Sequence, residues 1–86
     1  MAESTFEAFL LPPVREFLDA LPNEDADEIQ RLISIIELDP WADGRFKMVY
    51  YADPVTYTVY VHPRFRILYT IRPQGRIAIE GITERS

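Results

Sequence analysis

Residues 64–82 read RFRILYTIRPQGRIAIEGI, two β-rich runs on either side of a turn sequence. In the first run, apolar and polar residues alternate with the two-residue period of a strand. The apolar members of that alternation share one predicted face: Ile67, Tyr69 and Ile71. Pro73 suits the second position of a type I turn and Gly75 its fourth, so the chain should reverse between the runs. The sequence therefore predicts a β-hairpin that carries several cations: Arg64, Arg66, Arg72 and Arg76.

Two further strands are predicted upstream of this hairpin. Residues 46–51 and 55–61 are rich in β-branched and aromatic residues, and short turn sequences separate them from each other and from the hairpin. In the second of these runs, one predicted face holds Val55, Tyr57, Val59 and Val61. Connections this short make neighbouring strands antiparallel, so the four strands should form a meander.

The first half of the chain carries two helix patterns. The first begins at Pro12 and Pro13, which suit the first turn of a helix, and ends before Pro22. Its apolar residues recur at helical spacing: Val14, Phe17, Leu18 and Leu21. The second has Asn23 as the predicted N-cap and ends at Asp39, because a proline follows. Its broad apolar face implies burial against both a sheet and the first helix: Ile29, Leu32, Ile33, Ile35 and Ile36.

Together these elements predict a single α+β domain over residues 1–86, in which a two-helix hairpin packs on a twisted, mainly antiparallel sheet. The sheet has four strands, or five if residues 5–10 form an N-terminal strand rather than an extended lead-in. A chain of 86 residues is large enough to fold as one domain without cross-links.

The composition excludes several classes of protein. Cysteine is absent, which removes disulfides, thiolate metal sites and thiol nucleophiles. The sequence has no glycine-rich phosphate loop, nucleophile elbow or HExxH helix, so neither a nucleotide cofactor nor a metal is expected. It also lacks a basic leader followed by an apolar run, and any stretch of about 18 apolar residues. These features predict a cytoplasmic protein with no membrane partner.

Charge is sorted along the chain. Residues 1–44 hold eleven acids against Arg15 and Arg31, whereas residues 45–86 hold seven cations against three acids, and the net charge is −5. An acidic helical half and a basic strand half predict a bipolar surface, whose basic side could meet a polyanion or an acidic protein segment. The alternatives are that both faces are simply solvated, or that the strand cations keep sheet edges from pairing with other chains.

Three other groups of side chains have both a functional and a structural interpretation. His62 could act as a general acid, or it could be an exposed turn residue. The acids at the start of the second helix lack calcium-loop spacing and are better explained by the helix dipole: Glu24, Asp25, Asp27 and Glu28. The tyrosines and Trp41 could stack on bases beside the arginines, or they could pack within the sheet.

Two segments of the strand half resemble a known family. Preceded by two amphipathic helices, FRILY at residues 65–69 and IAIEGITER at residues 77–85 resemble the RelE/ParE superfamily of toxins from bacterial type II toxin-antitoxin modules. For a RelE-type member the resemblance implies metal-independent cleavage of mRNA in the ribosomal A site; for a ParE-type member it implies inhibition of DNA gyrase. Both types are silenced by an antitoxin protein. By position, Arg66 matches the strand arginine and Arg85 the arginine after the last strand, which implies phosphate binding and charge stabilisation.

The leading hypothesis is therefore a toxin that cleaves ribosome-bound mRNA, with Arg66 and Arg85 as catalytic residues. Other basic side chains would contact the nucleic acid: Lys47, Arg64, Arg72 and Arg76. RelE-type nucleases usually carry lysines on the strand before the matched arginine, whereas residues 57–60 include none. Two alternatives stay open: a ParE-type gyrase inhibitor, and a catalytically silent module that only binds its antitoxin. The expected partners are a cognate antitoxin and either the ribosome with mRNA or DNA gyrase.

Overall fold

The structure is a computed structural model that describes residues 6–41, 47–52 and 55–84. Within these residues it has five strands and two α-helices, in the order β1 (Glu7–Leu10), α1 (Pro12–Asp19), α2 (Asn23–Leu38), β2 (Lys47–Ala52), β3 (Val55–Val61), β4 (Phe65–Arg72) and β5 (Arg76–Glu84). The strands form one sheet in the order β1-β5-β4-β3-β2. Neighbouring strands are antiparallel except β1 and β5, which are parallel. The predicted α+β class and the N-terminal strand are confirmed.

Both helices pack on the same side of the sheet, which we call the helix face. The core on this face contains Val14, Leu18, Ile29, Leu32, Ile33 and Ile36 from the helices, and Phe65, Ile67, Tyr69, Ile77, Ile79 and Ile82 from β4 and β5. Burying each large apolar side chain contributes roughly 1.5–3 kcal/mol. Alternate strand residues point the other way and form what we call the open face: Val59, Val61, Arg66, Leu68, Thr70, Ala78, Gly81 and Thr83.

A β-bulge in β5 lets three isoleucines share the helix face. The register with β4 jumps at one point, where Leu68 pairs with Gly81 and Tyr69 pairs with Ile79. Glu80 is therefore an extra residue of β5 that resets the alternation of the strand. The isoleucines before and after it are all buried: Ile77, Ile79 and Ile82. Regular pairing without a bulge would turn the last of them to the open face.

The start of α2 differs from the prediction. Asn23 is not the N-cap: Pro22 occupies that position, and no side chain caps the helix. The carbonyl of Pro22 accepts hydrogen bonds from the N–H groups of Asp25 and Ala26, at 3.0 Å each. The fixed φ of proline suits the extended entry that precedes the helix, so the helix begins one residue earlier than the asparagine suggested. The end at Leu38 agrees with the predicted stop before proline. Neither α1 nor α2 is long and apolar enough to cross a bilayer.

Two hydrogen bonds tie α2 and its C-terminal end to the strands. β1 is an edge strand, and the N–H of Ala8 donates to the carboxylate of Glu37 at 2.7 Å. The hydroxyl of Tyr69 donates to the carbonyl of Pro40 at 2.8 Å, and both residues are buried. Burial raises the pKa of the Tyr69 hydroxyl well above its usual range, so the hydroxyl remains a donor.

The turn between β4 and β5 is not the predicted type I turn. Gln74 has φ 64° and ψ 30°, and Gly75 has φ 74°, so both residues are left-handed. A type I turn needs negative φ at both central positions, which makes the prediction wrong at Gln74. Three residues connect the paired Arg72 and Arg76, and left-handed residues allow so short a connection to follow the twist of the strands.

Substitutions in this turn should change stability in opposite directions. Gly75→Ala places a Cβ on a left-handed residue and should lower the free energy of unfolding by about 1 kcal/mol. Gln74→Gly removes such a Cβ and should raise it by about 0.5 kcal/mol, after the entropy of the added glycine is counted. Urea unfolding followed by circular dichroism measures both effects. Changes of the same sign would contradict the left-handed assignment.

Candidate functional site

Arg66 is the second residue of β4 and extends from the open face. Its cross-strand neighbours are Val61 on β3 and Thr83 on β5. The side chain is exposed, and no carboxylate among the described residues forms an ion pair with it. A guanidinium group has five N–H donors in a planar fork, so Arg66 is suited to binding an external phosphate or carboxylate.

The surface around Arg66 is apolar. Two adjoining depressions, with volumes of about 260 and 220 Å³, meet at Val59 and Arg66. Their other lining residues are Leu68, Gly81 and Thr83 in the first, and Met48, Val49 and Val61 in the second. None of these lining side chains accepts a proton at neutral pH, so the arrangement favours binding and charge stabilisation over proton transfer. Apolar surroundings also strengthen an ion pair formed there, because less water competes for it.

Arg72 and Arg76 lie at the other end of the open face, directly opposite each other on β4 and β5. The six-residue separation of Arg72 from Arg66 along the strand corresponds to about 20 Å. Arg72 forms an ion pair with Glu80 at 2.9 Å. The guanidinium carbon of Arg76 lies 4.7 Å from the ring centre of Phe9, which is cation–π geometry. The sheet therefore brings Arg72 and Arg76 together and holds Arg66 apart from them.

Lys47 and Arg64 contact the α2 side of the molecule instead. The Lys47 side chain is only 5% exposed, donates to the carbonyl of Asp39 and lies 3.5 Å from its carboxylate. Arg64 donates to the carboxylate of Asp25 at 2.7 Å, and this hydrogen bond raises the pKa of Arg64. Neither cation shares a surface with Arg66. The predicted second catalytic residue, Arg85, lies outside the described residues.

The aromatic side chains divide between the core and the surface. Tyr69 is fully buried, and Tyr60 packs against the core from the helix face. Tyr57 is two residues before Val59 in β3, so it lies on the same open face, and it is half-buried. Trp41 is 52% exposed and contacts Phe6 edge-on, with 5.7 Å between ring centres. Among the described tyrosine side chains, Tyr57 is thus the one on the same face as Arg66.

No protein-family model and no curated protein matches the sequence. Solved structures do match the chain in fold. A chain of the toxin-antitoxin complex RelBE2 from Mycobacterium tuberculosis is similar with a TM-score of 0.79 and 14% identity, over 94% of this chain and 99% of that chain. A chain of the archaeal RelE-RelB complex from Pyrococcus horikoshii OT3 is similar with a TM-score of 0.77 and 16% identity, over 95% and 97%. The chain has a RelE-like fold. At identities this low, the shared feature is the arrangement of helices and strands.

A charged cluster that was not predicted from the sequence lies between α2 and the β3–β4 turn of this RelE-like fold. Glu28 accepts from Arg31 at 2.6 Å and lies 3.0 Å from His62 Nε2. Hydrogen bonding from Arg31, with a smaller contribution from His62, lowers the pKa of Glu28. The i,i+3 spacing of Glu28 and Arg31 is visible in the sequence, but His62 is 34 positions away and no local pattern indicates that contact. Glu28 therefore binds the β3–β4 turn through His62, in addition to compensating the dipole of α2.

We expect Glu28 to stabilise the fold at neutral pH and to lose this contribution in acid. Its pKa is lowered in the folded protein, so the contribution is complete above the ordinary value of about 4.3 and disappears as the pH falls through the folded value. Glu28→Gln should thus lower Tm at about pH 7 and have little effect at about pH 2.5. Thermal melts of both proteins, with the exposed Asp27→Asn as control, measure this. An equal Glu28→Gln effect at both pH values would contradict the assignment.

Proposed function

We propose that this protein is the toxin of a type II toxin-antitoxin module, that it acts in the cytoplasm, and that the open face around Arg66 is its working surface. The observation that carries the proposal is Arg66 itself, an exposed guanidinium with no ion-pair partner among the described residues, on the side of a RelE-like fold that the helices leave open. The similar structures are toxin-antitoxin complexes, which supports an antitoxin protein as a partner.

The first candidate activity is cleavage of ribosome-bound mRNA. Arg66 binds the phosphate at the cleavage point, and Arg85 stabilises the negative charge that develops on it. The lining residues around Arg66 offer no acceptor for the proton of the ribose 2′-hydroxyl. The acceptor in this activity therefore comes from outside these residues.

Other cations extend the nucleic-acid contact in this activity. Arg72 and Arg76 bind the RNA backbone further along the open face. Arg64 can contribute only where the RNA reaches the β3–β4 turn, after giving up its exposed ion pair with Asp25. Lys47 contributes least, because its side chain is enclosed and already bonded to the end of α2.

The second candidate activity is binding without bond cleavage, and the apolar lining around Arg66 favours it. A surface with aliphatic side chains and a single guanidinium suits a protein that presents apolar residues beside a carboxylate. In this case the target is DNA gyrase, or the protein does no more than bind its antitoxin.

Ribosome toeprinting on a translated message tests the first candidate. We expect wild-type protein to cut in the A site and Arg66→Ala to cut at least about tenfold less, because a charge-assisted contact of about 1.5–3 kcal/mol is lost. Arg15→Ala, which removes an exposed cation from α1, is the matched control and should cut normally. No cleavage by wild type, or equal cleavage by Arg66→Ala, would remove this candidate.

A gyrase supercoiling assay with the same three proteins tests the second candidate. Inhibition that Arg66→Ala weakens and Arg15→Ala retains would identify gyrase as the target. If gyrase is not inhibited and induced expression does not arrest growth, antitoxin binding is the function that is left.

A further inference from the structure

His62 holds the turn between β3 and β4 through both of its ring nitrogens. Nδ1 lies 3.0 Å from the backbone nitrogen of Arg64, two residues further on. Nε2 lies 3.0 Å from the carboxylate of Glu28 on α2. The ring also stacks on Phe65, with 5.9 Å between ring centres and 24° between planes. One side chain thus connects the turn to the helix layer.

These contacts decide which nitrogen carries the proton. A backbone N–H can only donate, so Nδ1 accepts the hydrogen bond from Arg64 and holds no proton. Glu28 has a lowered pKa and is ionised at neutral pH, so it can only accept, and Nε2 must carry the proton that it donates. The geometry is that of a neutral imidazole in the Nε2–H form.

We propose that His62 is a proton-sensitive tether of the β3–β4 turn: the neutral ring joins the N–H of Arg64 to Glu28 on α2, and protonation of Nδ1 breaks the Arg64 side of that link. A proton on Nδ1 would face the N–H of Arg64, so two donors would oppose each other and Arg64 would lose its acceptor. Nε2 would keep its hydrogen bond to Glu28, which strengthens because the ring is then charged. The ring would stay bonded to Glu28, and the backbone of Arg64 would lose its contact with the ring.

Charged and titratable groups surround the ring and its partners: Asp25, Glu28 and Arg31 on α2, Tyr60 on β3, Arg64 in the turn and Glu84 on β5. Glu28 favours a charged ring, whereas the guanidinium groups of Arg31 and Arg64 oppose it. Each guanidinium is paired with a carboxylate, at 2.6 Å for Glu28–Arg31 and 2.7 Å for Asp25–Arg64. The contact that protonation removes is the hydrogen bond at Nδ1, because Nε2 keeps its partner Glu28.

Loss of the Arg64 contact should move Arg66. The N–H of His62 donates to the carbonyl of Phe65 at 2.9 Å, and Phe65 is fully buried. Arg66 is the next residue, so its position on the open face depends on this turn. The effect on activity rests on the proposed function, whereas the tether itself does not.

Ring ¹⁵N NMR tests the tether, because His62 is the single histidine of the chain. At about pH 8 we expect the Nε2–H form, with Nδ1 unprotonated. As the pH is lowered, the amide proton of Arg64 should shift upfield with the same midpoint as the ring, and the amide of Arg66 should shift with it. An Nδ1–H form at high pH, or an Arg64 amide that does not follow the ring, would overturn the proposal.

Two matched variants test the link to α2. Glu28→Gln keeps an acceptor for Nε2–H but removes the charge that favours the imidazolium, so the tautomer should persist and the midpoint should shift to lower pH. Asp27→Asn removes an exposed acid from the adjacent position and should leave the midpoint unchanged. Equal midpoints in wild type and Glu28→Gln would overturn the link. These measurements use the free protein, so their outcome is independent of whether the protein cleaves RNA or inhibits gyrase.

Discussion

Deleting Ala78 from β5 should unfold the domain, whereas deleting Glu80, two positions later, should leave it folded. Removal of Ala78 shifts the alternation of the strand, so that a buried isoleucine turns to the open face and Arg76 turns towards the core. Loss of one such side chain from a core costs about 2–5 kcal/mol, and burying a cation adds to this cost. Small domains have about 5–15 kcal/mol in total, so little stability should be left.

Removal of Glu80 has a different consequence because Glu80 is the extra residue of the bulge. The strand then alternates regularly, and Ile79 and Ile82 remain on the helix face. What is lost is the contact of the partly buried carboxylate with Thr70 and Arg72, and a hydrogen bond to a charged group contributes about 1.5–3 kcal/mol. Urea unfolding of the two deletion variants measures the contrast. Similar stabilities for both variants would contradict the bulge assignment.

Replacement of Tyr69 by phenylalanine should lower the free energy of unfolding by about 1–3 kcal/mol, although the ring keeps its packing. Tyr69 is fully buried, and its hydroxyl donates to the carbonyl of Pro40, which is buried as well. The variant leaves that carbonyl without its partner. For a domain of this size we expect Tm to fall by about 5–20 °C.

Tyr60→Phe is the matched control for this prediction. Tyr60 is half-buried on the helix face, and its hydroxyl has no hydrogen-bond partner within the described part of the chain. We therefore expect Tyr60→Phe to change stability by about 0.5 kcal/mol or less. A Tyr69→Phe protein as stable as this control would show that the Pro40 contact contributes nothing.

Local patterns predicted the features that depend on residues close together in sequence. The two-residue period of β4 correctly placed Arg66 opposite Ile67 and Tyr69, because strand geometry alone decides which face a residue takes. The helical period likewise predicted that Val14 and Leu18 are buried. The face of the candidate site could therefore be read from the sequence, and so could its main cation.

The features that the sequence did not predict depend on distant contacts or on backbone detail. Sequence position groups Lys47 and Arg64 with Arg66 as cations of the strand half, but Asp39 just after α2 and Asp25 within it hold the first two elsewhere. Glu28, the partner of His62, is on another element, so no local sequence spacing predicts their contact. The left-handed backbone of Gln74 is set by the length of the connection rather than by its own side chain.

The strand order also determines when the protein can fold during its own synthesis. β5 is the last of the five strands to be translated, yet it lies between β1 and β4 and is the neighbour with which β1 pairs. A nascent chain that has not reached β5 therefore lacks the strand with which β1 pairs. It also lacks three of the core isoleucines against which the helices pack. Long-range pairing of this kind delays folding until the distant segment is available. A protein built in this way would stay unfolded on its ribosome until the final strand emerged, and a message cut short before β5 would yield no folded protein.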